Sequence, residues 1–176
     1  SVIFEVGAKG ILRDIASEFS AVNTTDFNYN QDVAAAYSTI AFNLTKDYKF
    51  KGGVSCEYTA IGFEDENGLP IKNDYFNLFP SAIISRSFGA TTTLKLAYNR
   101  RVQRPSLAFL NPFRNEASEF NVMQGNPYLS PELSNNFELG YSTFIKGSMI
   151  NASLFYKNTT DVIENLISED APGKTL

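Results

Sequence analysis

The chain has 176 residues, with 15 Lys and Arg against 19 Asp and Glu and a formal charge of −4, which fits one domain by length and excludes a generally basic nucleic-acid-binding domain. Apolar residues make up 43%, enough to exclude disorder on composition; there is no His, which removes the usual general base, the Ser-His-Asp triad and most zinc sites. The single cysteine, Cys56, leaves no intramolecular disulfide, and no apolar run approaches the roughly 18 residues of a membrane-spanning helix.

In chain order, the sequence reads as about seven strands, each recognised by period-two alternation. Val2 to Lys9 sets Val2, Phe4 and Val6 against Glu5 and Lys9. Tyr29 to Leu44 alternates less cleanly, with Ile40, Phe42 and Leu44 opposite Thr39 and Asn43. Tyr48 to Phe63 sets Phe50, Val54 and Tyr58 against Lys51, Ser55, Glu57 and Thr59, and Cys56 falls among the apolar positions as a small filler. Tyr75 to Phe88 opposes Phe76, Leu78, Ala82, Ile84 and Phe88 to Asn77, Ser81, Ser85 and Ser87. Thr91 to Asn99 places Leu94, Leu96 and Tyr98 on one side and Thr93, Lys95 and Asn99 on the other. Asn135 to Ile145 repeats the pattern with Phe137, Leu139, Tyr141 and Ile145, and Ser148 to Asn158 with Ile150, Ala152, Leu154 and Tyr156. Short helical pieces fit only Asp14 to Phe19 and Pro105 to Leu110, both in stretches that read as connections.

The connections alternate in length. Thr45 to Asp47, Gly89-Ala90 and Lys146-Gly147 read as tight turns, whereas Gly10 to Asn28, Glu64 to Asp74 and Arg100 to Ser134 read as long. An outer-membrane barrel has a reason for this, with short turns on the periplasmic side and long loops outside. Strand length points the same way, because these runs exceed the usual five or six residues of soluble sheets. The polar face allows two orientations. A soluble antiparallel binding module would turn the apolar faces into a core, and a membrane barrel would turn them to lipid. A small closed outer-membrane barrel serving as adhesin or anchor also fits the length. Aromatics near strand ends, namely Tyr48, Phe50, Tyr75, Phe76, Phe88, Tyr98, Phe137, Phe155 and Tyr156, read either as interfacial girdles or as ordinary β-propensity. Acidic clusters such as Glu64-Asp65-Glu66 lack EF-hand spacing and read as surface loops, so no metal and no cofactor is expected.

Two stretches of the longest connection carry a family resemblance. Residues 99–113 read NRRVQRPSLAFLNPF, and residues 124–141 read QGNPYLSPELSNNFELGY. Together with FNLFPSAIISRSF, TTTLKLAYNRR and GSMINASLFYKNTTDVIE around them, they resemble the TonB-dependent outer-membrane receptors of Bacteroidetes type. In that family an RRxxRPxxxxLNPF stretch precedes GNPxLxPExxxxxELGY; Ser130 departs from it, where Lys is common. The resemblance covers residues 28 to 164.

The resemblance implies an all-β fold of antiparallel up-and-down hairpins forming part of a large transmembrane β-barrel. It implies residence in the bacterial outer membrane and active import of a scarce nutrient: an iron chelate, a cobalamin-like cofactor or a glycan. The partners it implies are outer-membrane lipid, the receptor's own plug domain, TonB and, in one branch, a surface lipoprotein. Residues 1–176 then form a partial barrel, with the plug and the remaining strands lying outside them, because seven strands cannot close a barrel of the family's size. Lipid contact is expected at Leu94, Leu96, Tyr98, Leu139, Tyr141, Ile145, Ile150, Leu154 and Tyr156. For Arg100, Arg101, Arg104, Asn111, Phe113, Arg114, Asn126 and Glu132 two roles stay open. They shape the loop and set strand register, or they contact ligand or plug, arginine being suited to carboxylate and phosphate. Gly125 is expected to permit a tight or left-handed turn.

Overall fold

The computed structural model describes residues 1–19, 25–64, 69–112, 115–118, 121–167, 169–171 and 174–175. Alternating, β-branched and aromatic sequence gives long strands: β1 (Val2–Phe19), β2 (Thr25–Asn43), β3 (Tyr48–Glu64), β4 (Pro70–Phe88) and β5 (Thr92–Gln103). One helical turn follows, α1 (Leu107–Leu110), then the short β6 (Asn115–Ser118) and β7 (Asn121–Met123). The long strands resume with β8 (Glu132–Ile145) and β9 (Ser148–Thr160), and β10 (Glu169–Ala171) and β11 (Lys174–Thr175) close the described chain.

The long strands form one 7-stranded antiparallel sheet in the order β1-β2-β3-β4-β5-β8-β9, an up-and-down meander. Among the described residues β1 and β9 are edges and do not pair, so the sheet is open, unlike the small closed barrel that the length alone allows. The four shortest strands make a second sheet, in which β11 runs parallel to β7 through Thr175 and Asn121 and ties the end of the chain to the long connection.

Unbroken register sorts the side chains into two faces, since directly paired residues point the same way. One row runs Ile84, Leu96, Leu139, Leu154, and the next runs Ala82, Tyr98, Phe137, Tyr156. Extended across the sheet, this face also holds Val2, Phe4, Ile40, Phe42, Phe50, Val54, Tyr58, Phe76 and Leu78. All nine residues expected at lipid lie on it. The other face carries Glu5, Lys9, Gln31, Lys51, Glu57, Asn77, Lys95, Asn99, Glu138, Asn136 and Lys157. Its charges answer one another: Lys95 Nζ lies 3.0 Å from Glu138 Oε1, and Thr39 Oγ1 donates to Glu5 at 2.9 Å.

The aromatic residues cluster at two levels of the apolar face. Tyr98 and Phe137 rings lie 4.9 Å apart and Phe137 and Tyr156 6.1 Å apart, while Tyr98 OH donates to Asn135 Oδ1 at 2.9 Å. Near the short turns, Phe42 meets Phe50 at 5.3 Å. Tyr75 and Phe155 do not join them. Each is one residue out of phase with this face and points to the polar side.

The short turns form where the sequence places them. Lys146 and Gly147 both take positive φ, 48° and 85°, the pair of left-handed conformations of a two-residue hairpin. The stretches read as long connections are mostly strand. β1 and β2 stay paired up to Phe19 and Thr25, and β3 and β4 up to Glu64 and Pro70, so residues 10–19, 25–28 and 70–74 are strand and not loop. Asp14 to Phe19 is strand as well, because a single helical turn without partners cannot compete with a continuous ladder. The first four strands have 18, 19, 17 and 19 residues, against the roughly 9–11 that a tilted strand needs to cross a bilayer. The surplus lies away from the short turns and extends the wall by roughly 25 Å at about 3.3 Å per residue.

The third connection, residues 104–131, is long. β4 pairs with β5 only from Ser81–Asn99 to Phe88–Thr92, and beyond Pro80, which has no N–H to give a ladder, the two strands part. On the polar side, α1 and the segment 124–131 fold against β2, β3 and β4. Leu110 is 1% exposed and joins Tyr29, Ile61 and Phe63 in a buried cluster on the polar side, ringed by Ile15, Ile71, Tyr75, Leu107 and Leu129. Leu110→Ala removes the centre of this cluster and should weaken loop docking by about 2–5 kcal/mol. Amide exchange at Asn111, whose N–H donates to Leu107 O at 2.9 Å, reports the loss, and unchanged protection there would contradict it.

Candidate functional site

The two motif stretches of the long connection meet backbone to backbone. Gly125 N donates to Asn111 O and Asn126 N to Phe109 O, both at 2.7 Å. A Cβ on Gly125 would fall within 2.7 Å of Asn111 O and closer still to Phe109 O. Gly125 is therefore required for close approach. Its φ is not positive, so the expected left-handed turn is not its role; among the described residues the positive-φ glycines are Gly89 and Gly147. Asn126 closes a local turn, its Oδ1 accepting from Tyr128 N at 2.9 Å. Asn73 on β4 reaches the returning segment, donating to Pro127 O and Leu129 O at 3.4 Å each.

Arg104 fixes the start of the connection to the wall. Its guanidinium makes a charge-assisted contact with Glu57 on β3, the two side chains being 30% and 17% exposed. Burial, followed by the nearby Arg13 guanidinium, lowers Arg104 from its ordinary value, with Tyr29 acting in the opposite direction. Arg13 in turn donates to the buried Gln31 at 3.1 Å. Glu57→Gln keeps the shape and removes the charge. It should weaken the anchoring of the connection by about 1–3 kcal/mol. Proteolysis of the connection in the folded full-length protein measures this, and a cleavage rate equal to wild type would refute it.

Beside this anchor the polar face opens into a cavity of about 420 Å³ lined by Asn99, Arg101, Gln103, Ser134, Asn136, Glu138, Phe155 and Lys157, among others. Asn136 Nδ2 donates to Asn99 Oδ1 at 3.2 Å, and Ser134 and Thr159 hydroxyls share a 2.9 Å bond. Glu138 is engaged by Lys95, which leaves Arg101 and Lys157 as cations without a carboxylate partner among the described residues. The cavity can therefore offer amide donors and acceptors, two positive charges and the rings of Phe137 and Phe155.

The structure distributes the expected contact residues widely. Arg101 lines the cavity. Arg104, Asn111 and Asn126 build the folded connection. Glu132 holds the segment after β9, its Oε1 accepting from Ile163 N at 2.9 Å. Arg100 pairs with Asn135 and points to the apolar side, opposite to Arg101. Phe113 and Arg114 lie outside the described residues. Sequence reasoning did not single out Asn99, Asn136, Lys157, Arg13 or Glu57 as site residues. Alternation places Asn99, Asn136, Lys157 and Glu57 on the polar face, only pairing with β2 places Arg13 there, and no local signal links Glu57 to an arginine so far along the chain.

An open antiparallel meander with one apolar and one polar face, longer than a bilayer is thick, defines a wall of the outer-membrane barrel class. The chain belongs to the outer membrane protein beta-barrel family, whose model matches residues 2–176. It resides in the outer membrane, which excludes the soluble module that the alternation alone permits. Among solved structures it is similar to the siderophore receptor PirA from Pseudomonas aeruginosa, with 16% identity and a TM-score of 0.45 over 89% of this chain and 39% of that one. The chain thus spans well under half of that receptor's length. No curated protein matches it.

Proposed function

We propose that this chain is part of the barrel of a TonB-dependent receptor that imports a scarce nutrient: an iron chelate, a cobalamin-like cofactor or a glycan. In this reading the apolar face, with Leu94, Leu96, Tyr98, Leu139, Tyr141, Ile145, Ile150, Leu154 and Tyr156, meets lipid, and the polar face lines the lumen. The observation that carries the reading is the long connection folded over the polar face beside the amide- and cation-lined cavity. Both motif stretches of the family resemblance run from the flanking strands into that connection and form its internal pairing. A plug and TonB complete the machine from outside residues 1–176, a surface lipoprotein is a further partner, and the reading assigns no catalysis.

Deletion of the full-length gene tests the proposal. Uptake of one of the three nutrient classes should fall to background, and loss of TonB should reproduce the defect. Uptake unchanged for all three, or unaffected by loss of TonB, would reject it.

A further inference from the structure

Arg86 stands on the apolar face, in one row with Tyr48, Leu94, Tyr141 and Ala152. It is exposed, two residues before the end of β4, where the short turns lie. Its guanidinium carbon sits 5.1 Å from the ring centre of Tyr48 and 4.5 Å from that of Phe88. The two rings hold the fork in place by cation–π attraction, yet they accept none of its N–H bonds in the guanidinium plane. No carboxylate of the described residues lies within ion-pair distance of it. A charge on a lipid-facing surface is costly unless its long arm carries it to the interface and it finds an acceptor there. The adjoining turns carry Lys46 and Lys146 against one carboxylate, Asp47, so the end of the wall is locally positive.

We propose that Arg86, positioned by Tyr48 and Phe88, binds the phosphate of a phospholipid headgroup in the periplasmic leaflet, the side of a barrel where turns are short. The planar fork presents paired donors at the spacing of phosphate oxygens, and the leaflet presents phosphates at that depth. The inference rests on the apolar face meeting lipid.

The full-length protein, labelled with ¹³C at arginine Cζ and leucine Cδ, is reconstituted in phosphatidylethanolamine–phosphatidylglycerol vesicles for solid-state NMR. A fraction of the arginine signal corresponding to one side chain should dephase against lipid ³¹P. Arg86→Gln should abolish it, Arg86→Lys should leave folding intact without restoring it, and inorganic phosphate in the buffer should not reduce it. Equal dephasing in wild type and Arg86→Gln overturns the proposal, as does competition by inorganic phosphate. If Arg86→Gln does not fold, Phe88→Leu serves: it removes one of the two rings and should lower the fraction at least twofold, and no change overturns the proposal. Leucine contacts with acyl-chain protons read the underlying orientation separately. Their absence would sink the lipid-facing assignment itself, whereas their presence without arginine dephasing would sink only the phosphate site.

Discussion

Gly125→Val is expected to release the long connection from the wall while leaving the barrel folded. Any side chain at this position meets the carbonyls of Phe109 and Asn111. Those carbonyls are the acceptors of the two 2.7 Å bonds that join the motif stretches. The clash cannot be relieved by a rotamer change, because the neighbours are backbone. Either both hydrogen bonds break or α1 moves and withdraws Leu110 from its cluster. Each course costs about 3 kcal/mol or more, enough to unseat a loop held chiefly by one cluster, one ion pair and the Asn73 hydrogen bonds. The barrel ladder lies elsewhere, so heat-modifiable migration in gels should persist while protease cuts the connection at least tenfold faster. A wild-type cleavage rate would show that the pairing of the two stretches is not what holds the connection.

Leu139→Arg should destabilise the membrane-inserted protein by about 2–4 kcal/mol, while Ser153→Arg should cost less than about 1 kcal/mol. Leu139 is 42% exposed in the middle of the row that joins Ile84, Leu96 and Leu154. A guanidinium there must reach an interface or drag water into hydrocarbon. Ser153, on the neighbouring strand, pairs with Gly140 on the polar face, beside Lys95 and Glu138, where water and an anion partner are within reach. Urea titration of the full-length protein in phosphatidylcholine vesicles gives both values. Equal losses for the two variants would mean that the faces do not differ in environment, and the lipid-facing assignment would fail.

The face of nearly every residue was legible from alternation alone, because a strand has only two sides and register transmits the choice across the sheet. Leu94, Leu96, Leu139 and Leu154 needed no further information. Tyr75 and Phe155 show the limit of counting aromatics near strand ends: parity, one residue from Phe76 and Tyr156, decides their side. The full lengths of β1, β2 and β4 were not legible, whereas Tyr48 to Phe63 matches β3 to within one residue, because away from the short turns the alternation in the other three weakens. Ile11, Leu12, Arg13, Asp14 and Ile15 mix both kinds of residue on both sides, and only pairing with β2 shows that the strand continues. The site was less legible than the fold. Arg101 stands out by residue type as a candidate, but its cavity neighbours Asn99, Asn136 and Lys157 come from three strands and converge only when the strands are in register. The contact between Arg104 and Glu57 depends on how a long connection folds back, which no period in the sequence encodes.

The parting of β4 and β5 at Pro80 determines what can be exchanged between relatives of this chain. The connection 104–131 and the upper half of β4 are complementary surfaces. Ile71 and Tyr75 pack on the cluster that Leu110 completes, and Asn73 binds the returning backbone. A graft of the connection alone would arrive without its seat. The connection fits only together with its whole seat: Tyr29 on β2, Glu57, Ile61 and Phe63 on β3, and residues 70–80 of β4.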